Sequence, residues 1–161
     1  MTEKKTVQKK TAAGKNTSAK KAAAADDTGI SAEEKAAMKQ MVAERKRTAA
    51  GKNTEQDVLD AVAAMDDHDR PIAEGLHKLV KEIAPDLNCR TWYGFPAYGE
   101  GKEVLFFYQF AGKFNTRYGT LGFNDKARLD DGDMWPVTFA LTQWNDAVEK
   151  KVTQLITRAL G

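Results

Sequence analysis

Near the start of the chain, hydrophobic residues recur with the spacing of amphipathic helices. Ser31 and Glu34 occupy the two positions of a capping box, which predicts a helix from there to about Arg47. Thr54 caps a second predicted helix. The first helix has a narrow apolar stripe and the second a broader one; their members are Met38, Met41 and Val42, then Val58, Leu59, Val62 and Met65.

Two further helices follow the same period. Pro71 fits the first position of a third helix, which Pro85 ends. A last helix is predicted over residues 143–160. Their apolar faces consist of Ile72, Leu76, Leu79, Val80 and Ile83, then Trp144, Val148, Val152, Leu155, Ile156 and Ala159.

Between the third and last helices the hydrophobic period changes to two, which indicates strands. A connection through Gly112 joins two of them into a hairpin. Because long parallel crossovers are missing from this order, we predict an α+β fold, an antiparallel sheet with amphipathic helices packed on one face. The predicted strands cover residues 89–93, 97–98, 104–110, 114–123 and 137–141.

Charge and composition divide the chain into three parts. Residues 1–30 form a basic tail without aromatic residues, which cannot bury enough apolar surface to order and is predicted to be disordered. Residues 31–53 hold the capped helix and a linker, and residues 54–161 form the domain. Residues 1–53 carry thirteen basic and six acidic side chains, whereas the domain carries twelve and seventeen. A basic arm of net charge +7 would attract nucleic acid non-specifically, although tethering or solubility explains it as well.

Cys89 is the only cysteine, which excludes an internal disulfide and a structural zinc site built from several cysteines. We interpret it as a packed thiol rather than a nucleophile, because nothing near it in the sequence would lower its pKa. The N-terminus has no secretory signal, and the longest apolar run, residues 104–108, is too short to cross a bilayer. We therefore expect a cytoplasmic protein without membrane contact.

Aromatic residues are concentrated in the middle of the domain, where all fourteen lie between Trp92 and Trp144. Core packing accounts for most of them. The others could line a ligand pocket, since such pockets are rich in aromatic side chains, and an arginine among them could hold an anion. The candidate ligand-binding surface consists of Trp92, Tyr93, Arg117, Tyr118 and Trp135.

Carboxylates gather at two places in the domain. Asp130, Asp131 and Asp133 form a candidate metal site, because hard cations and Fe(II) accept oxygen ligands, although an ordinary turn also favours Asp and Gly. The other group, residues 66–69, precedes a helix, whose N-terminus attracts acids without any ligand. His77 lies beside an apolar stripe and is interpreted as a partly exposed surface residue. No catalytic triad or nucleotide loop is present, so we expect no enzyme.

Three segments of the domain resemble the YdhG-like family: Arg90-Thr-Trp-Tyr-Gly-Phe-Pro-Ala-Tyr98, Arg117-Tyr-Gly-Thr-Leu-Gly-Phe123 and Leu129-Asp-Asp-Gly-Asp-Met-Trp-Pro136. The resemblance covers residues 54–161. Most members of this family have no known function, and some are described as bacterial intracellular iron chaperones with a frataxin-like fold. It implies a frataxin-like two-layer sandwich and weak binding of Fe²⁺ through surface carboxylates, with iron and iron-utilising proteins as partners. It assigns no ligand residue by residue; Asp57, Asp60 and residues 66–69 are the alternative to the Asp130 cluster.

Three functions therefore remain open. The first is a non-enzymatic iron chaperone. The second is a small-ligand or anion-binding module that uses the aromatic and arginine surface. The third is a nucleic-acid-associated protein that acts through its basic arm.

Overall fold

The structure is a computed structural model that describes residues 29–161, so the predicted disorder of residues 1–30 falls almost entirely outside the described residues. Within this range, no helix is both long and apolar enough to cross a membrane. The elements in chain order are α1 Ala32–Ala49, α2 Glu55–Ala63, α3 Arg70–Ile83, β1 Asn88–Trp92, β2 Phe95–Gly99, β3 Phe106–Gln109, α4 Ala111–Phe114, β4 Gly119–Phe123, β5 Thr138–Leu141 and α5 Asp146–Leu160.

The strands form one five-stranded antiparallel sheet in which each strand pairs with the next along the chain. The predicted α+β class and the antiparallel sheet are thus confirmed. A two-residue turn joins β1 to β2, with φ of 53° at Tyr93 and 77° at Gly94. Positive φ at both central residues is typical of the two-residue hairpin turns whose twist matches that of the strands. Gly94 adopts a positive φ without steric cost, whereas a positive φ is uncommon for a residue such as Tyr93. Trp92 consequently pairs with Phe95 across the hairpin.

The main hydrophobic core lies between one face of the sheet and helices α2, α3 and α5. Alternate strand residues point into it, and Phe106 and Tyr108 of β3 are both fully buried. Phe107, the residue between them in sequence, points to the other face, as alternation along a strand predicts. α2 contacts β1 and β2, and α3 contacts α5. The helices on this face are Glu55–Ala63, Arg70–Ile83 and Asp146–Leu160.

Helix α1 lies against β1 and the turn that follows it, outside the main core. Its capping box is confirmed, since Ser31 Oγ accepts from the Glu34 amide and Glu34 accepts from the Ser31 amide. The predicted stripe does not form the buried face: Met38 and Val42 are about half exposed, whereas Ala37 and Glu44 are buried. Helices α2, α3 and α5 therefore share one face of the sheet, and α1 lies apart from them.

Two predicted boundaries were wrong by three residues or more. The strand expected over residues 114–123 begins only at Gly119, because the chain first forms α4, where the amides of Ala111 and Gly112 donate to the distant side chain of Asp69. The last helix begins at Asp146 rather than near residue 143, because the side chain of Asn145 accepts from the Val148 amide and caps it.

Candidate functional site

Three elements bring together Glu55, His77 and Cys89, which stand at the start of α2, in the middle of α3 and in β1. One potential ligand atom from each lies within 4.8 Å of the other two. The arrangement follows from packing: α2 contacts β1 and β2, and the core-facing side of α3 carries His77 beside Leu76 and Val80. We call these three residues the donor cluster.

His77 connects the donor cluster to the core. It is 9% exposed, so the prediction of a partly exposed surface histidine was wrong. Because a carboxylate only accepts, His77 Nε2 donates to Glu55 Oε1 at 3.0 Å. In the neutral ring Nδ1 then accepts from the hydroxyl of Tyr98 at 3.2 Å. Burial raises the pKa of Tyr98 well above its usual value, which keeps that hydroxyl a donor.

Lys81 lies one helical turn after His77 and donates to Glu55 Oε2 at 3.1 Å. This hydrogen bond lowers the pKa of Glu55 and raises that of Lys81, so both are ionised at neutral pH. Glu55 and Lys81 are each about 40% exposed, and they stand where the donor cluster meets solvent. The donor cluster is therefore buried where His77 contacts Tyr98 and open to solvent where Glu55 contacts Lys81.

Cys89 is a buried free thiol whose Sγ lies 3.8 Å from the carbonyl oxygen of Leu87. Burial raises its pKa, so the thiol is protonated at neutral pH. Both ring nitrogens of His77 are already engaged by Glu55 and Tyr98, which leaves neither free to take the proton of Cys89. The group therefore contains the thiol, imidazole and carboxylate of a nucleophilic triad, but the imidazole is not hydrogen-bonded to the thiol.

A cleft of about 480 Å³ borders the donor cluster. Glu55, Lys81 and Cys89 line it, together with residues 85–88. One carboxylate oxygen, one imidazole nitrogen and one sulfur form a mixed set of the kind that suits Zn(II), Co(II) or Fe(II) better than Mg²⁺ or Ca²⁺. The cleft provides an approach for an ion from solvent.

The second cluster of possible metal ligands consists of Asp66, His68 and Asp69. Asp69 is fully buried, and its two oxygens accept from the Tyr108 hydroxyl at 3.1 Å and from the amides of Ala111 and Gly112. Asp66 Oδ1 accepts from two backbone amides. Asp69 already binds the segment before α3 to the start of α4, and Asp66 accepts from amides within that segment, so we interpret the group as structural.

The predicted metal residues Asp130, Asp131 and Asp133 lie in an exposed loop between β4 and β5. Within residues 29–161 they are not among the groups whose oxygens approach within 4.8 Å. The loop is attached to α5 by Arg158, which donates to the carbonyl oxygen of Asp130 at 2.8 Å. A metal site at these residues stays a prediction and has no preformed donor set to support it.

The predicted ligand surface is divided between separate places. The rings of Trp92 and Tyr93 meet edge to face at 4.7 Å, and the guanidinium of Arg117 lies 5.2 Å from the ring of Tyr118. Trp135 packs against the main core. In the described part of the chain no ring contact joins these three groups, so the five residues do not form one continuous aromatic surface.

Two buried polar residues were missed by the sequence reasoning, Glu44 and Arg90. A usable signal existed for Glu44, because Ala37, Met41, Glu44 and Thr48 follow a four-three-four spacing that places them on one helix face. All four are buried or half-buried. Glu55, His77 and Cys89 lie on different elements, so no local sequence pattern predicts that they come together.

No model of a protein family, no curated protein and no solved structure matched this chain.

Proposed function

We propose that the protein binds a divalent transition-metal ion through Glu55, His77 and Cys89, and that it carries this ion rather than catalysing a reaction. The supporting observation is that the three donor atoms lie within 4.8 Å of one another at the edge of a cleft. Metal–ligand bonds of about 2.0–2.3 Å place neighbouring ligands less than 4 Å apart, so the movements needed are small. One ring nitrogen of His77 must also give up its present hydrogen bond to become a ligand.

The chemistry of the donors determines which ions suit this site. One thiolate and one imidazole favour borderline ions over hard ones. The thiol of Cys89 has a raised pKa and must lose its proton to become a ligand, so binding strengthens as pH rises. Glu55 and Cys89 line the cleft, from which water or a ligand of a receiving protein would complete the coordination of a bound ion. Such an exchangeable position suits a carrier.

Fe²⁺ is the ion that the resemblance to the YdhG-like family suggests. A frataxin-like two-layer sandwich and a cytoplasmic location, with iron-utilising proteins as partners, belong to the same proposal. The antiparallel sheet with α2 and α3 before it and α5 after it supports the comparison of folds. The proposed ligands differ from the surface carboxylates that the resemblance implies, because two of them are buried.

The test is an anaerobic calorimetric titration of Fe²⁺ into the full-length protein, with Mg²⁺ and Mn²⁺ as comparison ions. We expect saturable binding that prefers Fe²⁺. Cys89→Ser should weaken Fe²⁺ binding at least about tenfold, since even outer partners of metal ligands contribute that much. In a parallel titration, Co²⁺ should give a sulfur-to-metal charge-transfer band that Cys89→Ser abolishes.

The matched control replaces Asp130, Asp131 and Asp133 by Asn together, which leaves the donor cluster intact. Loss of binding in this variant, with Cys89→Ser unaffected, would move the site to the exposed loop. Equal weak binding of all three ions, or no heat at all, would contradict the proposal of a carrier.

A second candidate function follows from the net charge of +7 on residues 1–53. Phosphate contacts by lysine and arginine make affinity fall steeply with salt. We propose to titrate duplex DNA with the full chain and with a variant whose lysines within residues 1–29 are all changed to Gln. Loss of a salt-dependent affinity in the variant would support this function, and unchanged affinity would exclude the lysines of residues 1–29 as its source.

A further inference from the structure

A second cleft, of about 440 Å³, opens between α1 and β1. Met41, Glu44 and Thr48 of α1 form one wall, and Arg90 and Trp92 of β1 belong to the other. These two β1 residues alternate with Cys89 and Thr91, so they point away from the main core. None of the donor-cluster residues lines this cleft.

Glu44 is an unusual residue for a wall of this kind. It is 7% exposed, and its Oε1 accepts from the Gly94 amide at 2.8 Å. Its Oε2 is buried and has no hydrogen-bond partner within residues 29–161. An unsatisfied buried carboxylate oxygen is costly to keep, because the group loses its hydration without gaining a donor. A ligand that brings a donor to Oε2 would remove that cost.

Four cationic side chains line the same cleft without a carboxylate at ion-pair distance among residues 29–161. Arg45, Arg90, Lys102 and Lys126 all contribute to its walls. Within the described range none of the four forms an ion pair with a carboxylate. These side chains can therefore receive an anionic group.

Arg90 is the most enclosed of these cations, at 8% exposed. Its guanidinium donates to the carbonyl oxygens of Gly101, at 2.9 Å, and Lys102. A guanidinium has five N–H donors, so others remain for a ligand. Burial lowers the pKa of Arg90, which reflects the cost of keeping its charge away from water. An incoming anion would offset that cost.

Trp92 contributes an aromatic ring to the cleft. The ring is held in place by contacts with Tyr93 and Phe107, whose centroids lie 4.7 and 5.0 Å away. An aromatic face attracts both methylene groups and cations. It is therefore suited to flank the middle of a ligand whose two ends carry opposite charges.

We propose that this cleft binds a small zwitterion, a compound with a primary ammonium group and a carboxylate, of the class of free amino acids. The ammonium group donates to Glu44 Oε2, and the carboxylate accepts from Arg90 together with Lys102 or Lys126. The carbon chain between them lies against Trp92.

The test uses the isotopically labelled full-length protein and follows amide shifts during titration. Glycine, γ-aminobutyrate and ε-aminocaproate serve as probes of increasing length, and n-butylamine and butyrate serve as the separate halves. We expect the best zwitterion to bind at least about tenfold tighter than either half, a difference of one hydrogen-bonded charge. The Gly94 amide, which donates to Glu44, and the Trp92 indole N–H should shift.

Substitutions locate the binding. Glu44→Gln should weaken binding of the best zwitterion at least about tenfold. Glu103 is an exposed acid that lines the same cleft, and Glu103→Gln should change the affinity less than about threefold. Thermal unfolding checks that both variants stay folded. Cys89→Ser should leave zwitterion binding unchanged, so this proposal can fail or succeed independently of the metal site.

Three results would overturn the proposal. One is the absence of shifts with every probe. The second is n-butylamine binding as tightly as the best zwitterion, which would leave only a cation site. The third is an equal loss of affinity in Glu103→Gln and Glu44→Gln, which would indicate non-specific attraction to acidic side chains.

Discussion

Asp69 and Glu44 are both buried carboxylates, but their surroundings differ. Asp69 accepts from the Tyr108 hydroxyl and from two backbone amides, so both of its oxygens have donors. Glu44 accepts one hydrogen bond, from the Gly94 amide, and its second oxygen has none among residues 29–161. Burial alone therefore does not separate structural from functional acids. Satisfied hydrogen bonding indicates the first, and an unsatisfied oxygen beside a cleft indicates the second.

The largest expected effect is that of Asp69→Ala. It leaves the Tyr108 hydroxyl and the amides of Ala111 and Gly112 without their acceptor, so the free energy of unfolding should fall by about 3 kcal/mol or more. Urea denaturation at pH 7 measures it. Asp67→Ala is the control, because that side chain is 99% exposed and should cost less than about 1 kcal/mol. Similar costs for the two would show that Asp69 is not structural.

Tyr108→Phe should have an intermediate effect, because it removes only one of the donors to Asp69. We expect a loss of about 1 kcal/mol in the free energy of unfolding at pH 7. Burial, with the charge of Asp69, raises the pKa of Tyr108 above its usual value of 10.0. The stability that this tyrosine contributes is therefore present below about pH 10 and lost as pH rises further, while the unfolded chain ionises.

The difference between wild type and Tyr108→Phe should accordingly shrink above pH 10. Denaturation curves between pH 8 and about pH 11 test this. The pKa values of Cys89 and Tyr98 are also raised by burial, so both proteins should still lose stability in alkali. A difference that stays constant with pH would contradict the raised pKa of Tyr108.

Glu44→Gln should have the smallest effect on stability, within about 1 kcal/mol of wild type. The amide oxygen of Gln still accepts from Gly94, and a neutral group is cheaper to bury without a partner than a charged one. The free energy of unfolding in urea measures the change. A loss as large as that of Asp69→Ala would make Glu44 a structural residue and would remove the contrast between the two carboxylates.

Helices were predicted well where the residues that start them lie within or directly beside the helix. The capping box at Ser31 and the cap at Thr54 appear in the structure, and α3 begins at Arg70, one residue before the predicted Pro71. Prediction failed at α4, because its helical turn begins where Ala111 and Gly112 donate to Asp69, more than forty residues earlier in the chain. It failed for the α1 stripe because the hydrophobic positions of a helix do not show which side the sheet will contact.

The candidate sites were less predictable than the elements. Trp92, predicted as part of a ligand-binding surface, lines the cleft between α1 and β1, but Glu44 and Arg90, which line the same cleft, were not predicted as site residues. Asp130, Asp131 and Asp133 were chosen because they are adjacent in sequence. Adjacent carboxylates on an exposed loop can point apart, whereas residues from separate elements can meet.

By itself, the sequence determined the helix caps, the alternation along the strands, the α+β class and the division of charge between the arm and the domain. These depend on residues close together in the chain. Only the tertiary structure decided that Glu55, His77 and Cys89 meet, and that both oxygens of Asp69 have donors. It also decided that one oxygen of Glu44 has no donor within residues 29–161. The physical reason is that hydrogen-bond satisfaction and burial depend on neighbours supplied by distant segments, which the local pattern does not specify.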